Sequence, residues 1–220
     1  MIQLLPILKR FIAGLTLMLC CLPLSAVNAN DLADSAQQNL SAHLEEMTSL
    51  VGLFVQKQYD SEGELLQSSS GDFAMARPGK LSWNTLEPYP QSLISDGETL
   101  WLYDPDLEQV SVQTIGDNLK QTPAVIISGD LAQIKADFDV VLTQANGDVE
   151  SFDLRPKHTS EYFQRLTLVF TKGRLTGMRL LDGFGQDTQF ELSDLSYNQV
   201  LAKQRFSFTA PAGTDVLINE

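Results

Sequence analysis

The chain has little of what catalysis and metal binding usually draw on. It holds two cysteines, Cys20 and Cys21, and two histidines, His43 and His158. Both cysteines fall in an apolar stretch at the N-terminus, so the rest of the chain can form no disulfide, thiolate nucleophile or Cys-based metal site. The sequence has no G-x-S-x-G elbow, P-loop or H-E-x-x-H motif. His43 lies beside Leu44 with Glu45 and Glu46 following, and reads as a solvated helix residue because no nucleophile stands near it. His158, within the turn-like run 156–160, reads as surface. The carboxylates are dispersed over turns and strand ends, which fits solvated surface better than a glycosidase pair. Neither catalysis, a metal nor a cofactor is expected.

Positive charge is also scarce. Fifteen Lys and Arg face 28 Asp and Glu, for a formal net charge of −13. Such a surface disfavours nucleic acid and anionic membranes as partners. Long hydrophobic runs are missing too. The stretch from Phe11 to Leu24, interrupted by Gly14, Thr16 and Pro23, is short for a membrane span.

What that stretch does resemble is an export signal. Lys9-Arg10 precede it and Val27-Asn28-Ala29 follow it, the order of a cleavable secretory signal peptide. We therefore expect residues 1–29 to be removed, leaving 30–220 as a single domain. The leader carries Lys9 and Arg10 and no acid, so the remainder has a net charge of −15. A lipid-attachment site needs a small residue before its cysteine. Leu19 precedes Cys20, and Cys20 precedes Cys21, so neither fits.

The remainder opens with a helix, since Leu32, Ala36, Leu40, Leu44 and Met47 share one face at helical spacing. From Val51 the period changes to two: Val51, Leu53 and Val55 alternate with Gly52, Phe54 and Gln56. Further strand-like runs cover about 64–76, 80–86, 91–95, 99–103, 108–115, 137–145, 148–155, 162–172, 174–182, 186–196 and 204–209. Turn signals separate them: Ser61-Glu62-Gly63, Asp96-Gly97, Asp104-Pro105-Asp106, Asn146-Gly147 and Lys172-Gly173. The pattern breaks at 122–129, a short apolar helix with Thr122 as cap, Pro123 first and Gly129 as stop, and again at 130–135. About eleven strands predict one wide antiparallel sheet, which should curl. The helices could cover its hollow face.

Two features stand out. Pro78 biases Arg77 toward extended backbone, and Leu81 and Trp83 then point to one face of the next strand. If that face is hollow, Arg77 sits at its margin, where five donors could hold several carbonyls of a covering helix. The alternative is an exposed arginine at a strand end. Likewise Ala124-Val125-Ile126-Ile127 is either a cover or ordinary core.

At these residues the chain resembles the LolA family of outer-membrane lipoprotein carriers. The matching elements are Phe54-x-Gln56-Lys57, Gly71-Asp72-Phe73, Arg77-Pro78 with Trp83, and Ser95-Asp96-Gly97-x-x-Leu100-Trp101-x-Tyr103. They continue with Thr122-Pro123, Phe152-x-Leu154-x-Pro156 and Phe206-x-Phe208-x-x-Pro211-x-Gly213, in family order across nearly all of 30–220. The resemblance implies a mainly β fold, an incomplete antiparallel β-barrel with a helical lid over an apolar cavity. It implies a soluble, monomeric periplasmic carrier in a Gram-negative envelope. Such a carrier takes acylated lipoproteins from an inner-membrane ABC-type release complex and delivers them to an outer-membrane receptor, LolB. It further implies that Arg77 latches the lid through backbone groups around Leu44, Ile127 and Ser128. Leu81 and Trp83 would line the cavity, and Val125 and Ile127 would belong to the lid. Leu81 stands where relatives often carry an aromatic, and Ala124 where a bulky residue is common, so the cavity should differ in shape. The alternatives are the receptor LolB, which shares the fold, and another envelope lipid-binding protein of that fold.

Overall fold

Period-two alternation along β1 (Ser49–Tyr59) sends Leu50, Gly52 and Phe54 to one face of the strand and Leu53 and Val55 to the other. The first set is buried and the second exposed, so the covered face of β1 is that of Phe54. The computed structural model of the protein describes residues 29–114, 123–129, 131–158 and 163–219, with 29–33, 125 and 219 described by backbone alone.

Among the described residues twelve strands form one sheet. After β1 come β2 (Leu65–Ala76), β3 (Lys80–Glu87), β4 (Gln91–Asp96), β5 (Thr99–Asp104) and β6 (Gln109–Thr114). Then follow β7 (Phe138–Asn146), β8 (Val149–Pro156), β9 (Arg165–Thr171), β10 (Arg174–Leu181), β11 (Asp187–Tyr197) and β12 (Asp215–Asn219). Their order is β12-β6-β5-β4-β3-β2-β1-β11-β10-β9-β8-β7. The two ends of this order do not pair, so the sheet is open, as the incomplete barrel requires.

Helix α1 (Ala29–Glu45) precedes the sheet, and α2 (Pro123–Ser128) and α3 (Leu131–Asp137) interrupt it. Ala36, Leu40 and Leu44 repeat every four residues, and all three are buried. That stripe packs α1 along β7. Helix α2 starts on Pro123, whose missing N–H costs nothing at a first helical position, and stops at Gly129. Its Ala124, Ile126 and Ile127 are buried against the sheet's inner face, as is Ile134 of α3. Thr122 and Asp130, expected to begin the two helices, lie outside the described residues. Among the described residues no helix is long and apolar enough to cross a membrane.

Two expectations change. The run 204–209 is not a strand. Residues Lys203–Phe206 form a single 3-10 turn that buries Phe206, and Phe208 packs its ring 5.1 Å from that of Tyr103. Two phenylalanines two residues apart imitate strand alternation, but β3, β4 and β5 already have both edges paired. The strand that was missed is β12, which pairs with β6 in parallel and makes the sheet mixed rather than wholly antiparallel.

Candidate functional site

The inner face of the sheet carries an aromatic floor. Phe54 stacks on Trp83 with ring centres 4.1 Å apart, Phe73 lies 5.2 Å from Trp83, and Phe190 meets it edge-on at 5.7 Å. The strands bring these rings together by register: Phe73 opposes Trp83 across β2 and β3, and Gly71 opposes Phe54 across β2 and β1. Gly71 has no side chain for a reason. A Cβ there would stand 1.8 Å from the Asn84 carbonyl oxygen and 2.9 Å from the Phe54 ring. Leu81, fully buried, extends the floor toward the β2–β3 turn.

That turn is tied to the helices. Arg77 follows directly on β2, and its N–H donates to the Thr48 carbonyl at 2.9 Å. Its Nε donates to the Met47 carbonyl at 3.1 Å, just past α1, and its Nη1 donates to the Gly129 carbonyl at 2.6 Å, just past α2. One residue pair further on, Gly79 N–H donates to the Ser128 carbonyl at 2.7 Å. Gly79 has φ +70°, and a Cβ there would come 3.0 Å from Gly97 Cα in the neighbouring β4–β5 turn. Ser95 Oγ fastens the two turns by donating to the Gly79 carbonyl at 2.7 Å and accepting from Gly97 N–H at 3.1 Å. A guanidinium therefore sits where α1, α2 and the sheet meet, and its charge complements the partial negative charge at the end of α2.

The resemblance implies backbone groups around Leu44, Ile127 and Ser128 as the acceptors. Leu44, Ile127 and Ser128 are all buried beside the arginine's anchorages. The Leu44 carbonyl accepts from Met47 N–H at 3.2 Å, and the Ser128 carbonyl accepts from Gly79 N–H at 2.7 Å. In that neighbourhood Arg77 reaches Met47, three residues past Leu44, and Gly129, one past Ser128. Val125 lies in α2, but its side chain is outside the described residues. Sequence reasoning missed Phe54, Phe73 and Phe190 as partners of Trp83, although their spacing within alternating strands marked each as inward.

His43 also departs from expectation. It is not a solvated helix residue: its ring stacks on Phe170 at 4.8 Å, and its Nε2 lies 2.7 Å from Glu150 Oε2. This contact fixes α1 to β8 and β9. His158 is exposed. On β10 and β11, Arg179 Nε donates to Asp187 Oδ1 at 2.6 Å. Burial pushes the Asp187 carboxyl up, but hydrogen bonds from Arg179 and Gln189 outweigh it and hold the group below the usual carboxylate value. Among the described residues no group of three or more His, Cys, Asp or Glu could hold a metal ion.

An open sheet with helices fastened over an aromatic floor defines a class of half-barrel binding proteins. The family model described as outer membrane lipoprotein carrier protein LolA matches residues 45–209, most of the chain, and the chain belongs to that family. Relatives agree in extent. An outer-membrane lipoprotein carrier protein of Pseudomonas aeruginosa is 38% identical over 202 residues, covering 92% of this chain and 97% of its own. That of Azotobacter vinelandii is 41% identical over 180 residues, covering 82% and 86%. In structure, an uncharacterized conserved protein from Thermus thermophilus aligns at TM-score 0.54 with 13% identity, covering 84% of this chain and 99% of that one. That likeness concerns the fold.

Proposed function

We propose that the protein is a carrier that shelters the acyl chains of lipoproteins between the inner face of its sheet and helices α1 and α2, and so brings them to the outer membrane. The observation that carries the reading is Arg77, which bridges the ends of α1 and α2 above an aromatic floor in a chain of the lipoprotein-carrier family. Leu81 and Trp83 form the floor, and Val125 and Ile127 belong to the lid that moves. The work is binding and release, with no catalytic step and no cofactor.

The physical argument is burial. Each methylene removed from water is worth about 0.8 kcal/mol, so a carried lipoprotein needs a continuous apolar surface. Left uncovered, that same surface would be unfavourable in water, and a closed lid removes it from contact with solvent. Arg77 stabilises the closed arrangement by holding the Met47 and Gly129 carbonyls. A loaded protein has given up those bonds, so release is favoured once a receptor offers the chains another apolar surface.

The signal-like leader and the acidic surface fit a monomer that works in the periplasm of a Gram-negative envelope after losing residues 1–29. Its partners are then an inner-membrane ABC-type release complex, which supplies the energy for loading, and the outer-membrane receptor LolB. The context of Cys20 and Cys21 supports a diffusing carrier over an anchored receptor. Spheroplast release tests the reading: the purified 30–220 chain should bring outer-membrane lipoproteins into the soluble fraction. Their complete retention on spheroplasts that respond to a known carrier would overturn it.

A further inference from the structure

The inner face changes chemistry abruptly one layer beyond the aromatic floor. Two residues past Phe54 stands Gln56, and two past Trp83 stands Thr85, on the same faces and roughly 7 Å along their strands. With Gln67, Ser69, Tyr89, Pro90, Gln91 and Asp104 they line an open cavity of about 380 Å³. The pairing explains the grouping: Gln56 opposes Ser69 across β1 and β2, and Thr85 opposes Gln91 across β3 and β4.

These polar groups are uncommitted. Among the described residues, the side chains of Gln56, Gln67, Ser69, Thr85 and Gln91 hydrogen-bond no other residue. Ser69 is 6% exposed, and its hydroxyl keeps contact with water across the cavity it lines. The contrast with Ser95, Asn84 and Thr167, each engaged in a side-chain hydrogen bond, is plain.

We propose that this shelf holds the neutral linkage of a lipidated N-terminus, namely the ester and amide carbonyls that join acyl chains to a glyceryl-cysteine and its first peptide units. The proposal rests on the carrier reading and adds headgroup selection to it. Amides and hydroxyls offer donors and acceptors at once, which suits ester carbonyls and a peptide backbone. Those carbonyls lie at the end of the acyl chains, where the apolar floor gives way to the shelf. Among the described residues no Lys or Arg lines the cavity, and the one charged side chain there is the acidic Asp104. A phosphate would meet a like charge there and no cationic partner among these lining residues. The shelf therefore selects lipoproteins against membrane phospholipids, which carry similar chains.

Displacement of a fluorescent fatty acid from the purified 30–220 chain tests this. A synthetic triacylated cysteinyl-serine peptide should compete at a concentration at least tenfold below that of phosphatidylglycerol with matched chains. Gln56→Leu with Ser69→Ala should cut that preference about tenfold, roughly the worth of one or two neutral hydrogen bonds, while fatty-acid affinity stays within twofold. Should that pair misfold, the exposed pair Gln67→Leu with Gln91→Leu carries the same expectation. Thr85→Lys should improve phosphatidylglycerol competition at least fivefold. Equal competition by the two lipids in the unaltered protein, or a preference untouched in the folded variants, overturns the shelf and leaves the carrier reading standing. Failure of the unaltered protein to bind the fatty acid overturns both.

Discussion

Removing the arginine that joins the helices should loosen the lid without unfolding the sheet. In Arg77→Leu the Met47 and Gly129 carbonyls lose their charged donors, at 3.1 and 2.6 Å. Hydrogen bonds to charged groups contribute about 1.5–3 kcal/mol each. The two bonds are part-buried, so the low end applies, and together they sum to about 3 kcal/mol. That is roughly a hundredfold shift from closed toward open lid. Hydrogen exchange reads the shift directly at Gly79, whose N–H donates across the same junction to Ser128. Its protection should fall about a hundredfold, with amides in the middle of β2 and β3 unchanged. Arg77→Lys, a point charge without the planar fork, should lie between the two. In transfer assays Arg77→Leu should still accept lipoprotein but hand it on poorly. Gly79 exchange within threefold of the unaltered protein, or normal transfer with unchanged loading, would refute the latch.

Other expectations follow from the packing. Gly71→Ala should lower stability to urea by more than about 3 kcal/mol, the scale of an overpacked core, because its Cβ would meet the Asn84 carbonyl at 1.8 Å; an unchanged urea midpoint would contradict this. Leu40→Ala empties a fully buried site on α1 and should cost about 2–5 kcal/mol; thermal melts should show it as a loss of roughly 5–15 °C for a domain of this size. The Asp187 carboxyl is held below its ordinary value by Arg179 and Gln189 in spite of burial. Its contribution is thus complete above the usual carboxylate range and disappears as pH falls through the lowered value. Asp187→Asn should flatten the decline of the melting temperature below about pH 4; an equally steep acid limb would count against the pair.

Much of this architecture is legible in the sequence because turns and alternation are local signals. Asp96-Gly97, Asn146-Gly147 and Lys172-Gly173 each mark a hairpin, and Gly97, Gly147 and Gly173 have the positive φ those turns need. Pro123 and Gly129 bracket α2 for equally local reasons. What escaped depends on distant partners. Alternation alone does not say which face of β1 is covered; Trp83, stacked on Phe54, decides that. Phe206 and Phe208 alternate like a strand but have no free strand edge to join. His43 looks solvated until Glu150, 107 residues away, is brought to it. Arg77 was recognisable as a candidate, yet its acceptors are backbone carbonyls, which every residue has. Only the chain path brings the Met47 and Gly129 carbonyls to it.

The central claim is that acyl chains occupy the aromatic floor around Trp83. A photoreactive amino acid at position 93, which opposes Trp83 across β3 and β4, tests it in living cells. The account predicts crosslinks to outer-membrane lipoproteins that vanish when the lipidated cysteine of the cargo is replaced. Crosslinks that persist with unacylated cargo, or that never form while the protein supports lipoprotein transport, would contradict it.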